Sequence, residues 1–208
     1  MNTPAGPDYP VSFDVEYPDR ELDRISTLFR VFALIPICIV LTLISAPTGH
    51  GMHSWGIVGG GILFGGPLVM IVFRQKYPRW WFDWNLEFMR FGARVGAYAA
   101  LMDDRYPSTD DAQAVRLSIA YPNASADLNR WAPLVKWFLA IPHYVLLILL
   151  GIAALVYVIC AWFAILFTGR YPRTLFDFVV GVQRWGVRVI AYAFVLATDR
   201  YPPFSLRA

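Results

Sequence analysis

Two long neutral runs dominate the hydrophobic pattern of this chain. No Asp, Glu, Lys or Arg occurs in the 43 residues between Arg30 and Arg74, or in the 33 residues between Lys136 and Arg170. A helix rises about 1.5 Å per residue and a bilayer core is about 30 Å thick, so about 20 residues make one crossing. Each run is too long for one pass. The first divides at Ser45 to Trp55, SAPTGHGMHSW, where Pro, Gly and an interface-favouring Trp collect, predicting spans 28–46 and 55–73. In the second the break falls at Gly151, predicting spans 134–150 and 152–167. These short spans cross at low tilt with Lys136 snorkelling to the surface, or form a hairpin that dips in and returns.

Outside the runs two other patterns recur. Residues 11–17 and 115–121 alternate in the strand manner, with Val11, Phe13, Val15 and Tyr17 on one face and Ser12, Asp14 and Glu16 on the other. Residues 80–102 and 174–196 read as amphipathic helices. At about 100° per residue Asp83, Glu87, Arg90 and Arg94 share a narrow stripe, repeated by Asp177, Arg184 and Arg188. Carrying these charges through the bilayer centre would cost about 2.5 to 3.5 kcal/mol each. Lying in the interface is cheaper.

With that placement all 18 Lys and Arg and all 15 Asp and Glu fall on one face, which the positive-inside rule makes cytoplasmic. The composition agrees: 57% of residues are apolar and only 16% charged, with a mean hydropathy of +0.47, short of the roughly 25% charge of a soluble domain. The first residues, MNTPAGPDYP, lack the basic start and apolar core of a secretory signal. The expected location is the bacterial inner membrane, multi-pass, with both termini cytoplasmic.

The two halves can be laid on each other. VSFDVEYP at Val11 to Pro18 matches VRLSIAYP at Val115 to Pro122, Arg24 matches Arg130, Arg30 matches Lys136, and Ile35-Pro36 matches Ile141-Pro142. Tyr-Pro-Arg-x-x-Phe-Asp then appears at Tyr77 to Asp83 and Tyr171 to Asp177, and each half closes on Asp-Arg-Tyr-Pro, at Asp104 and Asp199. This order predicts a tail over residues 1–10, a first unit at 11–107, a linker at 108–114 and a second unit at 115–208. The expected fold is a mainly α integral membrane protein of two parallel tandem repeats. Each repeat has a strand, a two-helix transmembrane hairpin and an interfacial amphipathic helix, and a pseudo-two-fold along the membrane normal brings the strands into a small cytoplasmic β-sheet. Two crossings per unit keep Arg79 and Arg173 on one side. Three would invert the second copy.

These motifs, with Trp162 to Pro172 and the closing Asp-Arg-Tyr-Pro-Pro-Phe-Ser-Leu, resemble the bacterial domain-of-unknown-function 4389 membrane family. The resemblance is sharpest from Asn129 to Leu206, and the first half departs by its longer Gly-rich hairpin and its Trp80-Trp81 pair. It implies a multi-pass bacterial membrane protein and brings no activity or catalytic residues.

Candidate chemistry is sparse. His50 and His53 have a spacing that could place two imidazoles on one metal, but no third ligand is near in sequence. His143 could face a haem or quinone, or simply satisfy its own hydrogen bonds at the interface, which is the stronger reading. Cys38 and Cys160 lie in the spans without a Cys-x-x-Cys partner and read as packing residues. The run around Gly59-Gly60-Gly61 and Gly65-Gly66 lacks the Gly-Lys-Ser/Thr of a phosphate loop and suits close helix approach. No nucleophile and base order emerges, so the chain reads as a non-enzyme without cofactor or metal.

The best functional lead is the Arg stripe. Arg79, Arg90, Arg94, Arg173, Arg184 and Arg188 would sit at headgroup depth beside Trp and Tyr, where anionic lipid phosphates are found. Tyr77, Pro78, Asp83, Tyr171, Pro172 and Asp177 form the repeated structural motif around them. Intramolecular pairing of the Arg residues competes with lipid binding and is the stronger of the two. Three classes stay open. A scaffold or accessory subunit of a membrane complex comes first, with another membrane protein or a second copy as partner, membrane lipids in contact and no nucleic acid. A small transporter or channel between the repeats is the second. The third is a membrane-shaping protein that uses hairpin wedges and surface helices.

Overall fold

The alternating segments pair as expected. In the computed structural model, which describes residues 9–45, 61–111 and 113–207, β1 (Val11–Val15) and β2 (Val115–Ile119) form an antiparallel two-stranded sheet with Val11 opposite Ile119 and Val15 opposite Val115. Val11, Phe13, Val15, Leu117 and Ile119 are buried, and Ser12 and Ser118 meet on the other face at 2.7 Å. Each strand stops two residues short of the predicted end. Tyr17 and Tyr121 leave the ladder because their hydroxyls are committed elsewhere.

The helices are α1 (Arg24–Ser45), α2 (Gly61–Arg74), α3 (Arg79–Ala99), α4 (Ala132–Leu139), α5 (Ile141–Thr168) and α6 (Arg173–Ala193). Pro78 and Pro172 set the starts of α3 and α6. Their extended ψ values of 132° and 126° lead into the helices, and their carbonyls accept from Phe82 and Phe176. Asp23 starts α1 through side-chain acceptance from the Ile25 and Ser26 amides. The sheet lies against α3 and α6, and Tyr77, Phe82, Tyr171, Phe176 and Leu196 fill the core between them.

The predicted break at Gly151 is wrong. Residue 151 lies inside α5, a continuous helix of 28 residues. A lone Gly costs only about 1 kcal/mol in a helix, too little to open a hairpin within an apolar run. The interruption falls at Ala140, just before Pro142, whose missing N–H cannot continue the ladder. Lys136, expected to snorkel, is instead 1% exposed.

In the first arm, residues 46–60 lie outside the described residues, and with them His50, His53, the predicted turn and the start of the predicted 55–73 span. Within α2, a Cβ at Gly66 would stand 2.3 Å from the Trp81 ring, so the close approach expected of the glycines is made there against α3. Cys38 and Cys160 are exposed rather than packed in the core, because each sits on the outer side of a helix touched along only one stripe.

Two stretches, Arg24–Leu41 and Ala132–Thr168, are long and apolar enough to cross a membrane, and only 17% and 6% of the apolar 18-residue window in each is buried. Exposure of that kind separates them from the core helices of a soluble fold. On α5 only His143, Ala161 and Ile165 are buried; with the half-covered Tyr144, Leu147, Leu150, Ala153, Ala154, Tyr157, Val158, Trp162, Ala164 and Leu166 they form one stripe, and the remaining residues are exposed. That stripe runs antiparallel beside α6, from Tyr144 against Phe194 to Tyr157 against Phe178.

Candidate functional site at the sheet and its two amphipathic helices

The predicted stripe residues converge on the sheet. Arg90 Nε donates to the Leu117 carbonyl at 3.0 Å, and Arg184 Nε donates to the Phe13 carbonyl at 2.8 Å. Both acceptors lie on the strands, so the guanidinium groups satisfy backbone oxygens that the two-stranded ladder leaves over. Arg94 donates to the Ser108 and Thr109 carbonyls at 2.9 and 3.1 Å. Arg188 holds the Ser205 and Arg207 carbonyls at 3.4 and 3.0 Å. Arg184 also reaches Asp14 at 2.9 Å. Four of the six stripe arginines are thus bound to the protein's own backbone.

The other two point outward. Arg79 lies over the Tyr121 ring at 4.9 Å and 3.7 Å from Asp83, and Arg173 lies over Tyr17 at 4.4 Å and 3.8 Å from Asp177. Both ion pairs are exposed. Beneath them the tyrosines cross the molecule: the Tyr17 hydroxyl donates to the Tyr171 carbonyl and the Tyr121 hydroxyl to the Tyr77 carbonyl, each at 2.5 Å. Burial pushes the phenols of Tyr77 and Tyr171 well above their ordinary range, so both stay protonated. Tyr77 donates to the Val195 carbonyl at 2.8 Å, whereas the Tyr171 hydroxyl has no hydrogen-bond partner among the described residues.

Two anchors escaped sequence reasoning. Arg30, 2% exposed, donates to the Tyr98 and Asp103 carbonyls at 3.0 and 2.7 Å and pairs with Asp104 at 3.1 Å. Lys136 donates to the Thr198 carbonyl at 2.7 Å and pairs with Asp199 at 2.6 Å. Each locks the start of an apolar helix to the end of an amphipathic one. The available signal was a cation at the edge of each neutral run, together with an Asp in each closing Asp-Arg-Tyr-Pro.

His143 is fully buried. Its Nδ1 accepts from Trp185 at 3.0 Å and its ring stacks on Phe204 with centroids 4.1 Å apart, so it packs the carboxyl-terminal tail onto α5. Between α3 and α6 lies a cavity of about 460 Å³ whose walls include Phe13, Met89, Gly92, Gly96, Gly186 and Val187. At about 100° per residue, Gly92 and Gly186 stand half a turn from the charged stripe. The cavity suits an apolar group. Among the described residues no cluster of three His, Cys, Asp or Glu could hold a metal.

Residues 130–205 match the family model described as Domain of unknown function (DUF4389). Comparison with curated proteins and with solved structures finds no match.

Proposed function

We propose that this is a non-enzymatic membrane protein of two related units whose apolar helices lie in the cytoplasmic leaflet and shape it. The observation that carries the reading is the relation of three layers. The sheet rests on the middle of α3 and α6, because its carbonyls are held by Arg90 and Arg184, halfway along those helices. Its outer face exposes Ser12, Asp14, Glu16 and Arg116. Were α3 and α6 to cross a bilayer, those groups would sit at mid-depth, at about 2.5 to 3.5 kcal/mol for each charge. Lying along the surface avoids this cost.

Helix α5 follows α6 along its length, so it takes the same shallow inclination. An all-apolar helix held at that angle enters one leaflet as a wedge rather than crossing both. The two-unit reading is supported by the matched motifs and by equivalent contacts in the two halves, where Tyr17 and Tyr121, Arg90 and Arg184, and Arg30 and Lys136 each bond the corresponding carbonyls. Conduction is the weaker reading, since the cavity between α3 and α6 is almost wholly apolar.

Depth measurement tests this. After Cys38→Ser and Cys160→Ser, single labels at Val145→Cys, Ile152→Cys and Ile159→Cys should report similar depths to lipid-borne quenchers, and added protein should tubulate vesicles. A steady progression from one surface to the other would end the wedge reading. Stoichiometric copurification of a second membrane protein would favour the accessory-subunit role.

A further inference from the structure

The first arm ends in a group of three exposed cations. Arg74 is the last residue of α2, Lys76 follows it, and Arg79 opens α3. All three line a recess of about 820 Å³ closed by Tyr121, Asn123 and Ser125, with no carboxylate among its walls. Arg74 and Lys76 are exposed and take part in no ion pair or side-chain hydrogen bond among the described residues. Arg79 makes only the exposed contact with Asp83 and the stacking over Tyr121. Between them Gln75 holds a left-handed conformation, φ 47°, where Gly is usual. That turn costs about 1 to 2 kcal/mol for a side-chain-bearing residue. It redirects the chain so that Lys76 and Arg79 border one recess.

The matching end of α5 is built differently. There Gly169 supplies the left-handed turn at φ 73°, and both the Glu21 side chain and Arg24 Nη2 lie 3.7 Å from where its Cβ would be, so a carboxylate accompanies the cation at the turn. Glu21 has no counterpart on the walls around Arg74. The recess is therefore a cationic feature of one half, not a general property of helix ends in this fold.

We propose that the recess of Arg74, Lys76 and Arg79 binds the phosphate of an anionic phospholipid headgroup. The source is a lipid because α2, apolar and partly exposed, delivers Arg74 to the membrane surface, where the phosphate of a lipid and its chains can be met together. This rests on the reading of the apolar helices as embedded. The Tyr121 ring carries the Arg79 guanidinium on its face at 4.9 Å and so holds that donor at the edge of the recess.

The test uses the full chain in vesicles of phosphatidylcholine with a minor share of phosphatidylglycerol, read by flotation and by native mass spectrometry of retained lipid. The variant Arg74→Gln/Lys76→Gln/Arg79→Gln should retain phosphatidylglycerol at least about tenfold less, from roughly fivefold per basic residue tempered by screening. The control Arg116→Gln/Arg170→Gln/Arg207→Gln, with the same loss of charge, should change it less than about twofold. Both should float and keep wild-type circular dichroism. Equal losses in the two variants, or no loss in the first, overturn the site. Displacement of the lipid by millimolar glycerol phosphate would overturn the lipid assignment. Failure of the wild-type chain itself to float would instead strike the embedded reading.

Discussion

Around the sheet the contacts come in reciprocal pairs, but the two apolar arms beneath it do not match. Tyr17 reaches Tyr171 as Tyr121 reaches Tyr77, and Arg90 holds β2 as Arg184 holds β1. Among the described residues the first arm has helices of 22 and 14 residues, whereas the second has a short helix followed by one of 28. The difference follows from what each region must satisfy. A buried carbonyl needs a donor at a fixed place, so those pairings allow little variation. An apolar surface needs only to remain apolar, and its helices can differ in length and number without leaving a polar group stranded.

The two cation anchors break the symmetry most instructively. Arg30 spans two carbonyls and a carboxylate, while Lys136 serves one of each. Replacing Arg30 with Met should lower unfolding stability of the detergent-solubilised chain by about 3 to 5 kcal/mol, by stranding two buried carbonyls and leaving Asp104 with only the exposed Arg20 as a cationic partner. Arg30→Lys should recover only part, because an ammonium lacks the planar fork. A cost below that of an ordinary surface substitution would deny it the anchoring role.

The glycines sharpen the contrast between arms. Gly66→Ala forces a Cβ against Trp81 and should cost about 1 to 3 kcal/mol. Gly151→Ala meets nothing within 4 Å and should stabilise α5 by about 0.5 to 1 kcal/mol, as read by thermal unfolding. Destabilisation at residue 151 would reinstate a turn there.

Tyr17→Phe and Tyr121→Phe should each cost about 1 kcal/mol by denaturant titration, and by similar amounts. Unequal losses would argue against equivalence of the two halves.

The smallest effect concerns pH. Burial alone would raise Asp103, but hydrogen bonds from Arg105 and the charges of Arg105 and Arg20 hold its carboxyl below the ordinary range. A depressed carboxylate adds stability above its unfolded value and loses it as pH falls through the folded one. Stability should therefore decline below about pH 4, and Asp103→Asn should flatten part of that decline. The second half has Thr198 at the comparable place and no such sensitivity there.

The alternation at Val11 to Val15, the charged stripe on α3 and the two neutral runs are local periodicities, and each survives in the fold nearly as read from the chain. Lys136 and Gly151 do not follow their local cues. Sequence alone cannot tell a cation that reaches water from one that meets Asp199, because the partner arrives from 63 positions away. Nor could it assign four of the stripe arginines to backbone carbonyls, since a carbonyl carries no identity in the residue code.

What the amino-acid order determined by itself was the sorting of charge from hydrocarbon, the strand and helix periods and the doubled motifs, all of which rest on neighbours within a few residues. What only the tertiary structure decided was the pairing of Arg30, Lys136 and the stripe arginines, and the course of α5 beside α6. Those depend on which distant surfaces close together, and on every buried donor finding an acceptor there.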